Sequence, residues 1–309
     1  MSSPTVSVII CAYTDRRWDD LRAAVASVSE QSRPALETIV VSDHNPALAE
    51  RARRELEGAI VVANRERRGL SGARNSGVAV ARGDVVAFLD DDATAAPDWL
   101  ERLLGHYGDR RVIGVGGAIE PVWPRRRPSF MPEEFDWVVG CTYRGMPAAA
   151  APVRNLIGAN MSLRRTLFPL VGGFRGDVGR VDARPLGCEE TELCIRVRRR
   201  LPACELIYEP HALVRHRVPP ERAGWRYFRA RCWSEGLSKA VVARAAGRDA
   251  GLASERRYVT TTLPRGLARG LREALAGDAA GAARSASILA GLFITTAGYA
   301  TGTLRGRLT

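Results

Sequence analysis

Three adjacent carboxylates, Asp90-Asp91-Asp92, follow the apolar run Val85-Val86-Ala87-Phe88-Leu89. Five apolar residues ending in acid read as a buried parallel strand that delivers charge to its C-terminal tip. That tip is where open α/β sheets bind ligands. Carboxylates packed this closely repel one another unless a cation or an array of donors sits among them. A divalent metal gripping a phosphate-bearing substrate is the chemistry this predicts. The plainer alternative is a solvated acidic turn in which Asp92 or a neighbour caps the next helix.

The surrounding elements must present that tip. Apolar runs predict strands over Val6–Ala12, Thr38–Ser42, Ala59–Ala63, Val85–Leu89 and Val112–Gly116. Between them, helical spacing or start signals predict helices over Asp19–Val28, Ala47–Leu56, Ser71–Ala81 (with Ser71 as cap) and Pro97–Tyr107 (with Pro97 as first residue). Repeated strand-helix-strand units imply a mostly parallel, Rossmann-like sheet with helices on both faces. Glu120–Pro152 breaks the pattern with six prolines and little periodicity, so it reads as a substrate-facing loop region. Its Trp123, Trp137 and Tyr143 suit either sugar stacking or core anchoring. Beyond it, Leu156–Leu163 reads as a strand and Arg164–Val171 as a short helix, followed by a Gly-rich loop. Glu189–Arg200 reads as a helix with acids first and arginines last, matching the helix dipole. Leu206–Tyr208 reads as a short strand, and the chain from Pro219 onward as helical and basic.

At 309 residues the chain can bury a substantial core, as one large domain plus an appendage. Six scattered cysteines without CxxC spacing read as reduced thiols, not as a disulfide framework or a zinc site. The N-terminus runs straight into a strand, without the basic and apolar regions of a signal peptide, so a cytoplasmic location is expected. The net charge is +12, and Lys239 is the only lysine. The arginine richness, beside abundant Ala, Gly and Val, looks like genomic base composition; the distribution is more telling. Residues 216–309 carry a net +10 and residues 1–215 only +2. A basic tail attracts anionic lipid headgroups, a phosphorylated acceptor or nucleic acid. Ser285–Leu304 is 20 residues without a charge, between Arg284 and Arg305. That length just spans a bilayer, but Ser, Thr and Gly dilute it, and Gly298 with Gly302 forms a small-residue pair suited to helix packing. An interfacial or partner-packed helix is expected ahead of a buried core helix, and a true span comes third.

Six segments, in order, carry a resemblance. Val6-Ser7-Val8-Ile9-Ile10-Cys11-Ala12-Tyr13, Val40-Val41-Ser42-Asp43, Gly69-Leu70-Ser71-Gly72-Ala73-Arg74-Asn75, Phe88-Leu89-Asp90-Asp91-Asp92, Gly158-Ala159-Asn160-Met161-Ser162 and Gly187-Cys188-Glu189-Glu190-Thr191-Glu192-Leu193 are together similar to family-2 glycosyltransferases of the GT-A fold. The likeness covers about residues 5–216. The last third resembles extensions of some bacterial and archaeal members, some of which act on lipid-linked sugars. The resemblance implies an inverting transferase using a nucleoside-diphosphate sugar, with a UDP-sugar favoured and GDP- or dTDP-sugars as alternatives. It implies a catalytic domain over 1–216 and a helical extension over 217–309. Ala12, Tyr13, Asp43, Arg74, Asp90 and Asp91 are implied to hold the nucleotide. Asp92 is implied as direct metal ligand, Asp90 as ribose or metal contact, and His216 as a further ligand, with His211 its local competitor. Such a site suits Mn²⁺ or Mg²⁺. Glu190 is implied as general base, with Glu189 the rival; the family more often has Asp at the second position, so Glu190 reaches one methylene further. Helix-dipole service alone is the plain reading of both acids.

The expected acceptor hydroxyl belongs to a lipid-linked sugar, a glycan or a small molecule. A peripheral position at the inner face of the cell membrane and an anionic acceptor stay open. A nucleotidyltransferase on a similar sheet is the nearest rival, yet the first strand-helix junction, Cys11–Arg17, lacks the glycines of a phosphate loop. A basic nucleic-acid-binding protein is the non-enzymatic rival. No helix-turn-helix, zinc-finger or RRM signature supports it, and no nucleic-acid partner is expected.

Overall fold

The computed structural model describes residues 3–176, 188–246 and 253–305. The chain forms two compact units. One takes residues 1–120, 147–184 and 189–216, and the other takes 121–146, 185–188 and 217–309. The irregular middle is therefore divided between them.

In the first unit β1 (Val6–Ala12), α1 (Trp18–Ser29), β2 (Glu37–Ser42), α2 (Pro46–Glu55), β3 (Ala59–Ala63), α3 (Leu70–Val80) and β4 (Val85–Asp90) alternate as the apolar periodicity predicts. β5 (Ala93–Ala95), α4 (Trp99–Leu104), β6 (Val112–Val122), β7 (Ala151–Pro152), β8 (Asn160–Arg164), α5 (Leu167–Val171), α6 (Glu189–Arg200) and β9 (Glu205–Arg217) complete it, with the ends of β6 and β9 running into the second unit. The sheet order is β3-β2-β1-β4-β8-β6-β9-β5, and β7 pairs with β9. β1 is parallel to β2, β2 to β3, and β1 to β4. The order reverses between β1 and β4, and open α/β sheets bind ligands at the C-terminal ends of strands at such a switch point. Past β4 the pairing turns antiparallel, through β4 with β8 and β8 with β6. The sheet is thus an α/β sheet with a parallel half and a mixed half.

Strand alternation feeds two cores, one on each face. Val8 and Ile10 of β1 pack with Leu21, Val25 and Val28 of α1, Leu48 of α2 and Trp99 of α4. Ile9 of β1 packs with Ile39, Phe88, Ala73 of α3, Met161 and Leu193 of α6. Full burial of each large side chain is worth roughly 1.5–3 kcal/mol, which fixes the register that carries the strand tips.

Several boundaries differ from the sequence reading. α3 begins at Leu70 behind Gly69, whose φ of 125° suits only glycine, so Ser71 lies inside the helix and does not cap it. α4 begins at Trp99, because Pro97 and Asp98 form a turn closed by the Trp99 amide on the Ala96 carbonyl at 3.0 Å. The strand expected over Leu156–Leu163 is confined to Asn160–Arg164. The short strand expected over Leu206–Tyr208 is 13 residues long and reaches Arg217. The Gly-rich loop before Glu189 lies partly outside the described residues. None of the six cysteines is in a disulfide.

The second unit is helical: α7 (Trp225–Ala246), α8 (Ala253–Arg257), a π-helical turn (Tyr258–Thr262), α9 (Leu263–Leu275) and α10 (Ala279–Arg305). α10 packs on α7 through glycine: a Cβ on Gly298 would overlap the Trp233 carbonyl, and one on Gly236 would overlap the Thr295 carbonyl. The uncharged stretch Ser285–Leu304 thus lies within α10, with its glycine face packed on α7. Trp137 and Tyr143 join an aromatic cluster here. The Trp137 Nε1–H donates to the Tyr258 hydroxyl at 3.0 Å, and the Tyr143 ring meets Tyr258 edge-on at 5.2 Å.

Candidate active site

The C-terminal tips of β1, β2 and β4 bring the sequence-predicted residues of the first unit together. Ala12 is buried at the end of β1, and its carbonyl accepts from the Asp43 amide at 2.8 Å. Tyr13 follows half-exposed. Asp43 follows β2 directly, with both oxygens engaged: Oδ1 accepts from Asn64 Nδ2 at 2.6 Å, and Oδ2 accepts from the Gly69 amide at 3.0 Å. Asp43 therefore fixes the turn that starts α3. Asn64 completes the lock, with its Oδ1 accepting from the Glu66 amide and the Ser76 hydroxyl. The sequence reading missed Asn64, since an Asn after a strand reads only as turn chemistry.

α3 carries Arg74 inward until it is 2% exposed. Its Nη1 donates to Glu189 Oε1 at 2.9 Å and its Nη2 to the Gly158 carbonyl at 3.1 Å. Asp90 Oδ1 lies 3.7 Å from Nη2, and the guanidinium sits 5.4 Å from the Phe174 ring centroid. Burial opposes its charge, but Glu189 and Asp90 outweigh burial and hold its pKa above the ordinary value. Glu189, at the start of α6, is buried and committed to this pair; Glu190 beside it is half-buried.

At the tip of β4, Asp90 remains partly exposed while Asp91 and Asp92 are buried. His216 on β9, opposite Ala93 of β5, places Nε2 3.1 Å from Asp92 Oδ1. One ligand atom each from Asp90, Asp92 and His216 lies within 4.8 Å of the others, and this is the one such group among the described residues. His211 is not in it; its backbone amide donates to Glu209. Arg17, unnoticed among 45 arginines, places Nη1 2.8 Å from Asp91 Oδ1 and 3.0 Å from Asp92 Oδ2. Burial, then the charge of Asp92, pushes the Asp91 carboxyl well above the usual range, with Arg17 pulling the other way. Lost hydration, opposed by Arg74, pushes the Cys11 thiol up to about 12, so it stays neutral and is no nucleophile.

Four carboxylates (Asp90, Asp91, Asp92, Glu189) thus face two guanidinium groups (Arg17, Arg74). Asp91 Oδ2 and Glu189 Oε2 are buried without a hydrogen-bond partner. Carboxylates outnumber guanidinium groups here, and two carboxylates with an imidazole (Asp90, Asp92 and His216) form a donor set that suits a divalent ion. Asn160, quoted above only within a motif, is fully buried. Its Nδ2 donates to the carbonyls of Ala118 and Ala212, and its Oδ1 accepts from Trp99 Nε1. It is a structural tie.

An α/β sheet with an acidic cluster at its switch point has its charged side chains where such sheets bind ligands. Residues 7–170 match the family described as Glycosyl transferase family 2. A glucosyl-dolichyl phosphate glucuronosyltransferase of Haloferax volcanii is 36% identical over 241 residues, 77% of each chain. The succinoglycan biosynthesis protein ExoM of Rhizobium meliloti is 27% identical over 238 residues, 75% of this chain and 72% of its own. Among solved structures, the mannosyltransferase PcManGT of Pyrobaculum calidifontis, in complex with GDP-Man and Mn²⁺, aligns with a TM-score of 0.60 at 20% identity, covering all of this chain and 88% of its own. GalNAc-T7 with UDP, GalNAc and Mn²⁺ aligns at 0.56 and 18% identity, covering 76% of this chain and 48% of its own. The chain belongs to glycosyl transferase family 2 and has the GT-A fold. It is a glycosyltransferase.

Proposed function

We propose that this glycosyltransferase moves a sugar from a nucleoside-diphosphate sugar to an acceptor hydroxyl in one in-line displacement, with inversion at the anomeric carbon. The observation that carries this is the convergence at the β4 tip of Asp90, Asp92 and His216, with ligand atoms within 4.8 Å of one another. These three residues would hold Mn²⁺ or Mg²⁺. The ion, when bound, supplies Lewis-acid neutralisation of the departing diphosphate. Ala12, Tyr13 and Asp43 line the nucleoside side, and Asp43 also keeps the α3 turn in place. Arg74 holds Asp90 and Glu189 in register beside the diphosphate. Glu190, on the first turn of α6, takes the proton from the acceptor hydroxyl as it attacks.

A thermal-shift titration with UDP, GDP and dTDP, each with Mn²⁺, Mg²⁺ or EDTA, tests the donor reading. Nucleotide at 100 times its Kd is expected to stabilise the protein by about 2.7 kcal/mol when the cation is present, with UDP giving the largest shift. Equal shifts in EDTA would remove the cation from the reading.

The relative named for glucosyl-dolichyl phosphate and the net +10 of residues 216–309 support a lipid-linked sugar as acceptor and an anionic membrane surface as its location. Within the second unit, Leu271 and Leu275 of α9 and Leu289, Phe293 and Leu304 of α10 are exposed, Phe293 at 75% and Leu275 at 89%. α10 is long and apolar enough to cross a membrane by length and composition. Its glycine face is committed to α7, so the exposed face would lie in the interface. Leu289→Glu with Phe293→Glu is expected to weaken binding to vesicles of anionic lipid by about tenfold or more. Unchanged sedimentation, or release by detergent alone, would argue against a surface-lying helix.

A further inference from the structure

The Asp91–Arg17 pair lies beside the candidate cation site but outside it. Asp91 belongs to the acidic run, yet it is not among the three residues whose ligand atoms converge. Its Oδ1 accepts from Arg17 Nη1 at 2.8 Å, and its Oδ2 has no hydrogen-bond partner. The same Nη1 reaches Asp92 Oδ2 at 3.0 Å, while Asp92 Oδ1 faces His216 Nε2 at 3.1 Å. One guanidinium nitrogen is thus shared by a carboxylate outside the site and one inside it. Asp92 is held by opposite oxygens, one toward Arg17 and one toward His216. Arg17 itself emerges from the first strand-helix junction, and its guanidinium lies 5.6 Å from the Tyr13 ring centroid.

The geometry points to Arg17 as a positioning residue that sets the affinity of the cation site, a role resting on the metal reading given above. Asp91 anchors the guanidinium. The same guanidinium nitrogen makes an ion-pair contact with Asp92 Oδ2 at 3.0 Å, which holds in place a carboxylate that would bind the metal. It also keeps a positive charge one carboxylate away from the bound ion. Repulsion between that charge and a dication weakens binding, which leaves the cation readily exchangeable as substrate and product come and go. Asp91, 2.8 Å from the same nitrogen, offsets part of that positive charge, so neutralising Asp91 leaves the repulsion stronger.

Titration with Mn²⁺, followed by the loss of the free-ion electron paramagnetic resonance signal, tests this without any turnover. Arg17→Gln is expected to lower the melting temperature of the metal-free protein, because Asp91 is left buried without a partner. The same change is expected to tighten Mn²⁺ binding by about tenfold, since a repelling unit charge has gone. Lower stability with higher affinity is a combination that a merely structural arginine would not produce. Arg17→Lys, which keeps the charge, is expected to hold the affinity within about twofold of wild type. Asp91→Asn should weaken Mn²⁺ binding, and the double substitution Arg17→Gln with Asp91→Asn should return it close to wild type. Wild-type binding with equal or weaker binding by the folded Arg17→Gln variant would overturn the role of Arg17. Absence of Mn²⁺ binding by the wild type would overturn the metal reading itself, and this role with it.

Discussion

Glu190→Gln is expected to lower kcat by ~10²–10⁴ while leaving donor KM within about twofold. The substitution keeps the shape of the side chain and removes its ability to accept a proton. Glu189 cannot take over, because its Oε1 is committed to Arg74 at 2.9 Å and the residue is buried. Glu190, half-buried one position later on α6, is the proposed base. Steady-state kinetics with saturating acceptor separates the alternatives. A variant with wild-type kcat would remove Glu190 from the base role and leave it serving the helix dipole. Glu189→Gln makes the contrast: it leaves the Arg74 charge without its main partner and should show first as lost stability.

The sequence displayed the parallel half of the sheet because each of its strands is an apolar run between turn residues, and each helix carries one apolar stripe. α1 shows this directly, with Trp18, Leu21, Val25 and Val28 buried at helical spacing. The antiparallel half was harder to read. β5 has three residues, too few to form a pattern. β9 buries Leu206–Glu209 continuously and alternates only from His211 to Arg217, and its polar residues hide its length. The acidic tip of β4 was legible because clustered carboxylates are costly in any fold. Two aspects of the site were not. Arg17 carries no local signal in a chain with 45 arginines, and only the folding of β1 against β4 brings it to Asp91. Asp43 was legible as a site residue, but not as the lock on the Gly69 turn, which depends on Asn64 arriving from the next strand. The aromatic residues of the middle segment fitted two roles in the sequence, and packing gave Trp137 and Tyr143 to the second unit's core.

Arg74→Met is expected to destabilise the protein by about 3–5 kcal/mol, the usual consequence of leaving one member of a buried ion pair uncompensated. The volume of the side chain is largely retained, so the loss reports charge rather than a cavity. Glu189 would remain 4% exposed with neither oxygen satisfied, and the Gly158 carbonyl would lose its donor as well. Arg74→Lys keeps a charge but replaces a planar fork with a single point, which cannot serve Glu189 and Gly158 together; a smaller loss is expected. Chemical denaturation of the single variants and of Arg74→Met with Glu189→Gln measures the coupling. The double variant should be more stable than the sum of the single losses predicts, because removing both partners leaves no orphaned charge. Strict additivity would show that the pair contributes nothing beyond its separate contacts. The stake is wider than stability. The same guanidinium lies 3.7 Å from Asp90, so it links the helix bearing the proposed base to the strand tip bearing the proposed metal ligands. An enzyme that must align a base, an anomeric carbon and a departing diphosphate on one line needs those two elements held in fixed register. A buried arginine shared between them does this at a cost in desolvation that an apolar residue would avoid, and that choice makes sense only if the alignment matters.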